Sequence, residues 1–323
     1  MTVLFRALLC CALVLLTADA SAQTWPSRPI KLIVPTGPSA ATDVMARLLA
    51  DGVSRTLGQA VVVENMPGAS GILAHQFVAR AAPDGYTLLF TNTSGMAINL
   101  ISFKRLPYDP TRDFTPVALV CNLGPQMLSV NASLPVSTVR ELIAYAKANP
   151  GKLSIGFDNT AGAAAFAAKL FNKRAGLGLI EVPYRSAAQM TQDAASGVNQ
   201  VMMSSIAAAN AVVQAGKVRR IAVTSGQRFP GLPDLPSLQE TVSGTVMDGF
   251  FAIVAPAGTP AEVVARLNRE IGHYLEGPDI QQRLLSLGLA TGGGGTPEST
   301  GQTIRREQDQ WRALGKELGV EPQ

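Results

Sequence analysis

The chain has 323 residues, a formal net charge of +4 and only 15% charged residues. Its lysines and arginines are dispersed, and no basic run interleaves with aromatics, so composition does not imply a nucleic-acid partner. Beyond the N-terminus no apolar run is long enough to span a bilayer.

Residues 1–22 read as a secretory signal peptide. Arg6 precedes an apolar stretch, Ala7 to Leu16, and Ala20-Ser21-Ala22 forms an A-x-A cleavage site before Gln23. Export to the periplasm with cleavage after Ala22 is the expectation. Cys10 and Cys11 leave with the signal, so Cys121 remains and no internal disulfide is expected. Cys121 lies in the apolar run Val117 to Leu123 and reads as a buried free thiol in a strand. The remaining length suits two lobes of roughly 150 residues.

The first strong pattern runs from Arg28 to Asp43. Ile30–Val34 is an apolar β-type run that stops at Pro35, and a loop of small residues follows. Thr42 and Asp43 then open an amphipathic helix carrying Val44, Ala46, Leu48 and Leu49. A strand that feeds a helix N-terminus in this way presents unpaired N–H groups and a positive dipole end to an anion. No reactive side chain stands beside them, which suits holding a carboxylate better than transforming one. Thr42 and Asp43 also read simply as a helix cap.

Further strands are expected at Val61–Glu64, Thr87–Thr91, Val117–Val120, Met127–Val130 and Leu153–Gly156. Others follow at Gly178–Val182, Val201–Ser204, Arg220–Thr224 and Phe250–Ala255. Helical patterns separate many of them, the signature of an α/β chain with mostly parallel sheets. Thr138-x-x-Glu141 is a capping box, and Asn149-Pro150-Gly151 ends its helix. Thr259 to Glu262 reads as a second capping box with Pro260 at the first helical position. Gly292 to Gly295 reads as a flexible loop, since no Lys-Ser/Thr follows it. Pro297 to Leu318 reads as a charged terminal helix around Trp311.

Catalytic templates fail. Gly68-Ala69-Ser70-Gly71 is one residue short of a nucleophile elbow, and Gly216-Lys217 lacks the rest of a Walker loop. Of the two histidines, His75 reads as a helix-flank residue and His273 as a favourable cation near a helix C-terminus. Neither has metal-ligand spacing around it. No catalytic residue, metal or cofactor is expected, and the chain does not read as an enzyme. A periplasmic hydrolase or lyase is therefore disfavoured.

A series of motifs then gives the chain a specific likeness. They include WPSRPIKLIVP, TDVMARLLADGVSRTLGQAVVVEN, PGASG, APDGYTLLF and LPYDPTRDFTPVALV. ELIAYAKANPGKLS, VPYRSAA, GKVRRIAVTSGQRFPGLPDLPSLQE and APAGTPAEVVARLN follow in the same order. With these the chain resembles the periplasmic solute receptors of tripartite tricarboxylate transporters, the Bug family. The resemblance implies an α/β, two-lobed periplasmic-binding-protein fold (type II, Venus flytrap), each lobe a mostly parallel sheet flanked by helices. Lobe 1 would comprise residues 23–122 plus 246–323, and lobe 2 residues 123–245. Hinges would lie near Asn122–Gly124 and Thr245–Gly249.

It further implies a small carboxylate in the cleft, gripped by two loops. The first carries Thr36, Gly37, Ser39, Ala40, Thr42 and Asp43, and the second carries Phe157, Asn159, Ala161 and Gly162. Thr93 and Ser94 would offer hydroxyls at the cleft floor. Tyr184 and Arg185 would border it, with an exposed salt-bridge arginine as the alternative for Arg185. Met203 and Ser204 complete the expected set. The partners implied are the membrane permease subunits of such a transporter, and a monomer is the default for this class. An adaptor that presents a bound metabolite to a membrane signalling partner is the alternative.

The chain departs from the family pattern in both loops. Thr36 stands for an aromatic, Ser39 and Ala40 for paired glycines, and Met66 for an arginine. Either the first loop takes another path or its conformation never required glycine. In and after the second loop, Phe157 stands for a small hydroxyl residue, Asn159 and Ala161 for glycines, Ala165 for a histidine and Gln200 for an aspartate. On this reading Phe157 adds apolar bulk to the cleft and Gln200 removes an anionic contact, which favours a smaller or more apolar carboxylate.

Overall fold

The computed structural model describes residues 25–322 apart from 39, 159–161, 248, 290 and 292. The expected signal peptide with Cys10, Cys11 and its cleavage site, and the site residues Ser39, Asn159 and Ala161, lie outside the described residues.

Each expected strand forms, within a few residues of its expected ends. The first sheet contains β1 (Ile30–Val34), β2 (Val61–Asn65), β3 (Thr87–Asn92), β4 (Phe114–Leu123) and β10 (Gly249–Pro256), in the order β2-β1-β3-β10-β4. The second contains β5 (Gln126–Asn131), β6 (Ser154–Asp158), β7 (Ile180–Tyr184), β8 (Val201–Ser205) and β9 (Val218–Val223), in the order β7-β6-β8-β5-β9. β10 runs antiparallel to both its neighbours and β5 does the same in its sheet, while the other pairs are parallel. Four strands of each sheet therefore point one way. The reversed strand is in each case the first that the chain lays down after leaving the other sheet. The two orders match position by position, so β1 corresponds to β6 and β3 to β8.

Helices cover both faces of each sheet. They are α1 (Ala41–Leu57), α2 (Ile72–Ala79), a short α3 (Asn99–Ser102), α4 (Val139–Ala148) and α5 (Ala163–Ala175). Then come α6 (Ala187–Ser196), α7 (Ile206–Gln214), α8 (Ala261–Leu275), α9 (Pro278–Ser286) and α10 (Pro297–Leu318). Period-2 alternation along β1 sends Leu32 and Val34 into a core with Leu49 and Val53 of α1 and Leu267 of α8. Ile33 joins Ala74 and Val78 of α2 on the opposite face. All three strand residues are buried, as expected for strands packed on both sides. Cys121 is buried and unbridged, and burial pushes its thiol up to about 12, consistent with an inert packing residue.

The caps form differently from expectation. Thr138 accepts from Glu141 N–H, but the Glu141 carboxylate returns to Ser137 N–H rather than to Thr138. At α8 the expected box does not form: Pro260 is the cap residue and the Thr259 hydroxyl bonds the Pro256 carbonyl instead. In the glycine-rich loop, Gly294 and Gly295 carbonyls accept from Leu119 N–H and Asn268 Nδ2, so these residues are tied to β4 and α8.

Helix α10 crosses between the sheets. Gln308 bonds the Met96 carbonyl and Thr111 on the first-sheet side. Trp311, 3% exposed, packs edge-on against Phe166 of α5 at 4.9 Å. Glu317 takes a bidentate ion pair from Arg174 of the same helix. The expected placement of all of 246–323 in the first lobe therefore leaves out the contacts that the end of α10 makes with the second. Among the described residues no helix is long and apolar enough to cross a membrane.

Candidate ligand-binding site

The expected site residues fall at the C-terminal ends of β1, β3, β6, β7 and β8. Open α/β sheets place their ligands at this end, because strand ends and helix N-termini converge there. The two expected loops follow the corresponding strands β1 and β6, each leading into a helix.

Helix α1 starts at Ala40, whose φ of −66° and ψ of 155° are ordinary extended values. Glycine is not needed at this position, which settles the departure at Ala40. Helix α5 starts at Gly162, with φ −98° and ψ 166°. Neither cap residue supplies a side-chain hydrogen bond. Thr138, Ser186, Ser205 and Thr296 do so for α4, α6, α7 and α10. Among the described residues, neither cap residue supplies the side-chain acceptor that ordinarily satisfies one first-turn N–H of its helix.

Asp43 is 3% exposed and faces inward to the protein. Arg47 Nε donates to its two oxygens at 3.0 and 3.1 Å, and Asn65 Nδ2 donates to Oδ1 at 2.8 Å. Asn65 Nδ2 also donates to the Thr36 carbonyl at 2.9 Å, and Arg47 Nη2 donates to Asn65 Oδ1. Asp43 and Asn65 therefore shape the first loop. Arg47 is half exposed, so its ion pair contributes no more than about 1 kcal/mol. Thr42 is buried, and Thr36 Oγ1 is buried without a partner among the described residues.

Thr93, also buried, accepts from Phe250 N–H at 2.8 Å and joins the end of β3 to β10. Ser94 is half-buried. Behind them lies His75, which is fully buried rather than on a helix flank. Burial lowers its pKa to about 4, so the ring is neutral at pH 7. Its Nδ1 meets the Gly71 carbonyl at 2.8 Å, which fixes Nδ1 as the donor and leaves Nε2 to accept from the Thr91 hydroxyl at 2.8 Å. The ring stacks on Tyr108, and a Cβ at Gly95 would lie 2.0 Å from Nε2.

The turn after β2 is strained. Gly68, Ala69, Ser70 and Gly71 all have positive φ, at 132°, 47°, 54° and 83°. Gly71 N–H donates to the Gly68 carbonyl at 2.9 Å, closing a type I′ turn with two non-glycine residues in the left-handed region. Each costs roughly 1–2 kcal/mol there.

The second-loop expectations need correction. Phe157 is 2% exposed and packs with Ile155, Phe166 and Met203 in the core beneath α5, because it shares a face of β6 with Ile155. It does not narrow a cleft. Ala165 is likewise in that core. Gln200 precedes β8, at the end of the sheet away from the loops, where it binds Ser154 N–H and the Gly197 carbonyl. Its exchange for aspartate has no bearing on a ligand there. Tyr184 is 9% exposed among Met127, Met190 and Met202, and burial with a hydrogen bond to Asp193 holds its hydroxyl up at about 12. Met203 and Ser204 are fully buried, whereas Ser205, one residue on, is exposed and caps α7. Arg185 is exposed and forms no ion pair among the described residues, against the salt-bridge alternative.

Asp158, the last residue of β6, lies within the stretch Phe157 to Gly162 expected as the second loop but was not singled out there. It is half-buried, and burial raises its pKa above the ordinary carboxylate value. Its place at a strand end was the available signal. A cavity of about 270 Å³ lies elsewhere, between α5, residues 244–247 and α10. Arg174 in its wall is already committed to Glu317 and to the Ser243 carbonyl. Among the described residues no group of three His, Cys, Asp or Glu is placed to hold a metal ion.

Comparison with known proteins gives a consistent picture. Residues 45–320 match the family described as "Tripartite tricarboxylate transporter family receptor". Protein BugT of Bordetella pertussis is 33% identical over 307 residues, covering 94% of each chain. A solved structure of the R. palustris protein Rpa4515 with adipate is 34% identical, with a TM-score of 0.80 over 93% of this chain and 100% of that one. Periplasmic binding protein BugD is 32% identical with a TM-score of 0.76, over 93% of this chain and 100% of its own. MatC from Rhodopseudomonas palustris with bound malate is 29% identical with a TM-score of 0.74, over 90% of this chain and all of its own.

Proposed function

The chain belongs to the tripartite tricarboxylate transporter receptor family, a family of periplasmic solute-binding receptors and not enzymes, and from that premise we propose that it captures a small carboxylate between its two sheets. The ligand lies at the N-termini of α1 and α5 and is handed to the membrane permease subunits of a tripartite tricarboxylate transporter. The protein works as a monomer in the periplasm after removal of residues 1–22.

The observation that carries this reading is the correspondence of β1–α1 with β6–α5. Two helices that start without side-chain caps follow equivalent strands, one in each sheet. One carboxylate takes hydrogen bonds from both, with the two positive dipole ends adding to them. Each such charge-assisted bond contributes roughly 1.5–3 kcal/mol. Three or four of them, less the cost of immobilising the ligand, give affinities around the micromolar range. The unpartnered Thr36 hydroxyl offers a further donor. Adipate and malate in two relatives support the carboxylate class. Ser205 and Arg185, both exposed at the same end of the second sheet, replace Met203, Ser204 and Tyr184 as the contacts from that side.

Binding and release without chemistry follow from hinge closure: the closed form gains contacts to the ligand that the open form lacks. The chain passes between the sheets after β4 and before β10, where the hinge segments belong. Native mass spectrometry of the gently purified mature protein tests the reading. An organic acid of discrete mass at near-unit occupancy, released intact, supports it. Conversion of an added carboxylate to a product of different mass overturns it.

A further inference from the structure

Helix α5 opens at the second half of the proposed grip, and it is buried on more than one side. A helix at a protein surface hides a single apolar stripe. In α5 every residue from 164 to 171 except Lys169 is buried. Its own sheet covers it through Ile155, Phe157 and Met203. The first lobe supplies further cover, since Ala97, Ile98 and Trp311 belong to the same buried cluster.

These contacts lie one helical turn from the grip. Phe166, which meets Trp311 edge-on at 4.9 Å, donates its N–H to the Gly162 carbonyl at the cap of α5. Ile98 ends a single wide turn that begins at Ser94, closed by Asn99 N–H donating to the Ser94 carbonyl. The expected cleft floor and the second half of the grip therefore meet in one packed joint.

Trp311 is held on the first-lobe side of that joint. Gln308, on the preceding turn of α10, donates to the Met96 carbonyl at 3.0 Å. α10 approaches α3 closely at Gly315, where a Cβ would lie 3.2 Å from Ile101. Trp311 Nε1 donates to the buried Glu307 carboxylate at 3.3 Å, which orients the indole on its own helix. Beside the indole lies the cavity of about 270 Å³, walled also by Gly244 and Met247, from the segment by which the chain returns to the first sheet. A joint between two lobes needs such clearance to slide, because packed side chains do not deform continuously.

We propose that Trp311 is a positioning residue for ligand capture: it couples the first lobe to α5, so that the seating of its indole sets the interlobe angle and, with it, ligand affinity. The proposal rests on the receptor reading above and adds a residue outside the cleft that controls it. A ligand binds one interlobe arrangement better than another. A change in the population of that arrangement therefore changes apparent affinity with no change in ligand contacts.

Two variants of the mature protein test this. Trp311→Phe enlarges the gap and removes the bond to Glu307. Ala313→Leu, at an exposed position in the cavity wall, fills it. Adipate and malate serve as probes in calorimetric titration, and small-angle X-ray scattering reads the interlobe arrangement with and without them. Each variant shifts the affinity for a bound probe about five-fold or more and shifts the radius of gyration of the free protein. The two shifts agree in sign: the more compact free protein binds tighter. In Trp25→Phe, where Trp311 is the one tryptophan left, saturation with the probe changes the emission. A contact that only stabilises the fold would lower the melting temperature and leave affinity, radius and emission alone, and that result overturns the proposal. An affinity change with an unchanged radius overturns it as well. If the wild type binds neither probe, that counts against the carboxylate reading, and scattering of the free variants decides this inference separately: radii equal to the wild type overturn the role of Trp311.

Discussion

Asn65 Nδ2 donates to Asp43 Oδ1 at 2.8 Å while reaching the Thr36 carbonyl at 2.9 Å, so the end of β2 holds both ends of the loop that β1 releases. At Ala40 the backbone is extended and needs no glycine, and the Asn65 bracket fixes the loop at Thr36 and Asp43. Removing the bracket leaves a buried carboxylate with fewer donors and frees the loop. Asn65→Ala is expected to cost about 1–3 kcal/mol in stability. It also weakens carboxylate binding about ten-fold or more, since preorganisation of the loop is lost. Urea unfolding and calorimetric titration of the same variant measure the two effects.

His75 makes folding pH-dependent. Its pKa falls from 6.5 in the unfolded chain to about 4 in the folded protein because burial disfavours the imidazolium. The stability it permits is complete above pH 6.5. It declines as pH falls towards 4, because only the unfolded chain takes up the proton in that window. The loss by pH 4 amounts to about 3 kcal/mol. Urea unfolding from pH 7 to 4 detects it as a slope, and His75→Gln is expected to flatten that slope even though it lowers stability at pH 7.

Gly95 packs against the same ring. Gly95→Ala places a methyl group 2.0 Å from Nε2. Overpacking of this kind costs about 1–3 kcal/mol or more. The expected result is a lower urea midpoint with an unchanged denaturant slope.

Asp158 is held half-buried with a raised pKa, so its ionised form opposes folding above that pKa and its neutral form relieves the cost at lower pH. On the proposed function, the same negative charge at the end of β6 would repel a carboxylate bound at the second loop. Asp158→Asn is therefore expected to raise the melting temperature at pH 7 and to tighten carboxylate binding. The pH dependence of binding between pH 4 and 7, compared with wild type, reports the effect.

Trp311 joins α10 to α5 through its edge-on contact with Phe166. Trp311→Ala removes a side chain that is 3% exposed and is expected to cost about 3–5 kcal/mol. Calorimetric unfolding then shows a lower transition, broadened or split if the sheets part company first.

Much of this fold was legible in residue patterns. Short β-branched runs such as Ile30–Val34 are buried on both faces and announce themselves by continuous apolar character. Helix α10 was legible with its observed ends, Pro297 and Leu318, and the structure shows Thr296 capping its start and Gly319 in the left-handed region at its stop. The positions of the two loops were legible through the strand-to-helix pattern and the family likeness. Side-chain directions were not. Whether Phe157 faces cleft or core depends on strand phase, and a one-residue shift reverses the answer. Met203 and Ser204 point to opposite faces of β8 and both are buried, because both faces of the sheet are covered; exposure begins only at Ser205, where the strand ends. Thr259 lost its capping role to a local bond with Pro256, a competition between equivalent hydroxyl geometries that spacing does not resolve. His75 looked like a flank residue because its partners, Thr91 and Tyr108, are distant in sequence.

The most direct measurement is a crystal structure of the mature protein with the carboxylate that it retains or binds best. Carboxylate oxygens are expected about 2.7–3.2 Å from first-turn N–H groups of both α1 and α5. A ligand held elsewhere, or by side chains alone with those N–H groups still solvated, would contradict it.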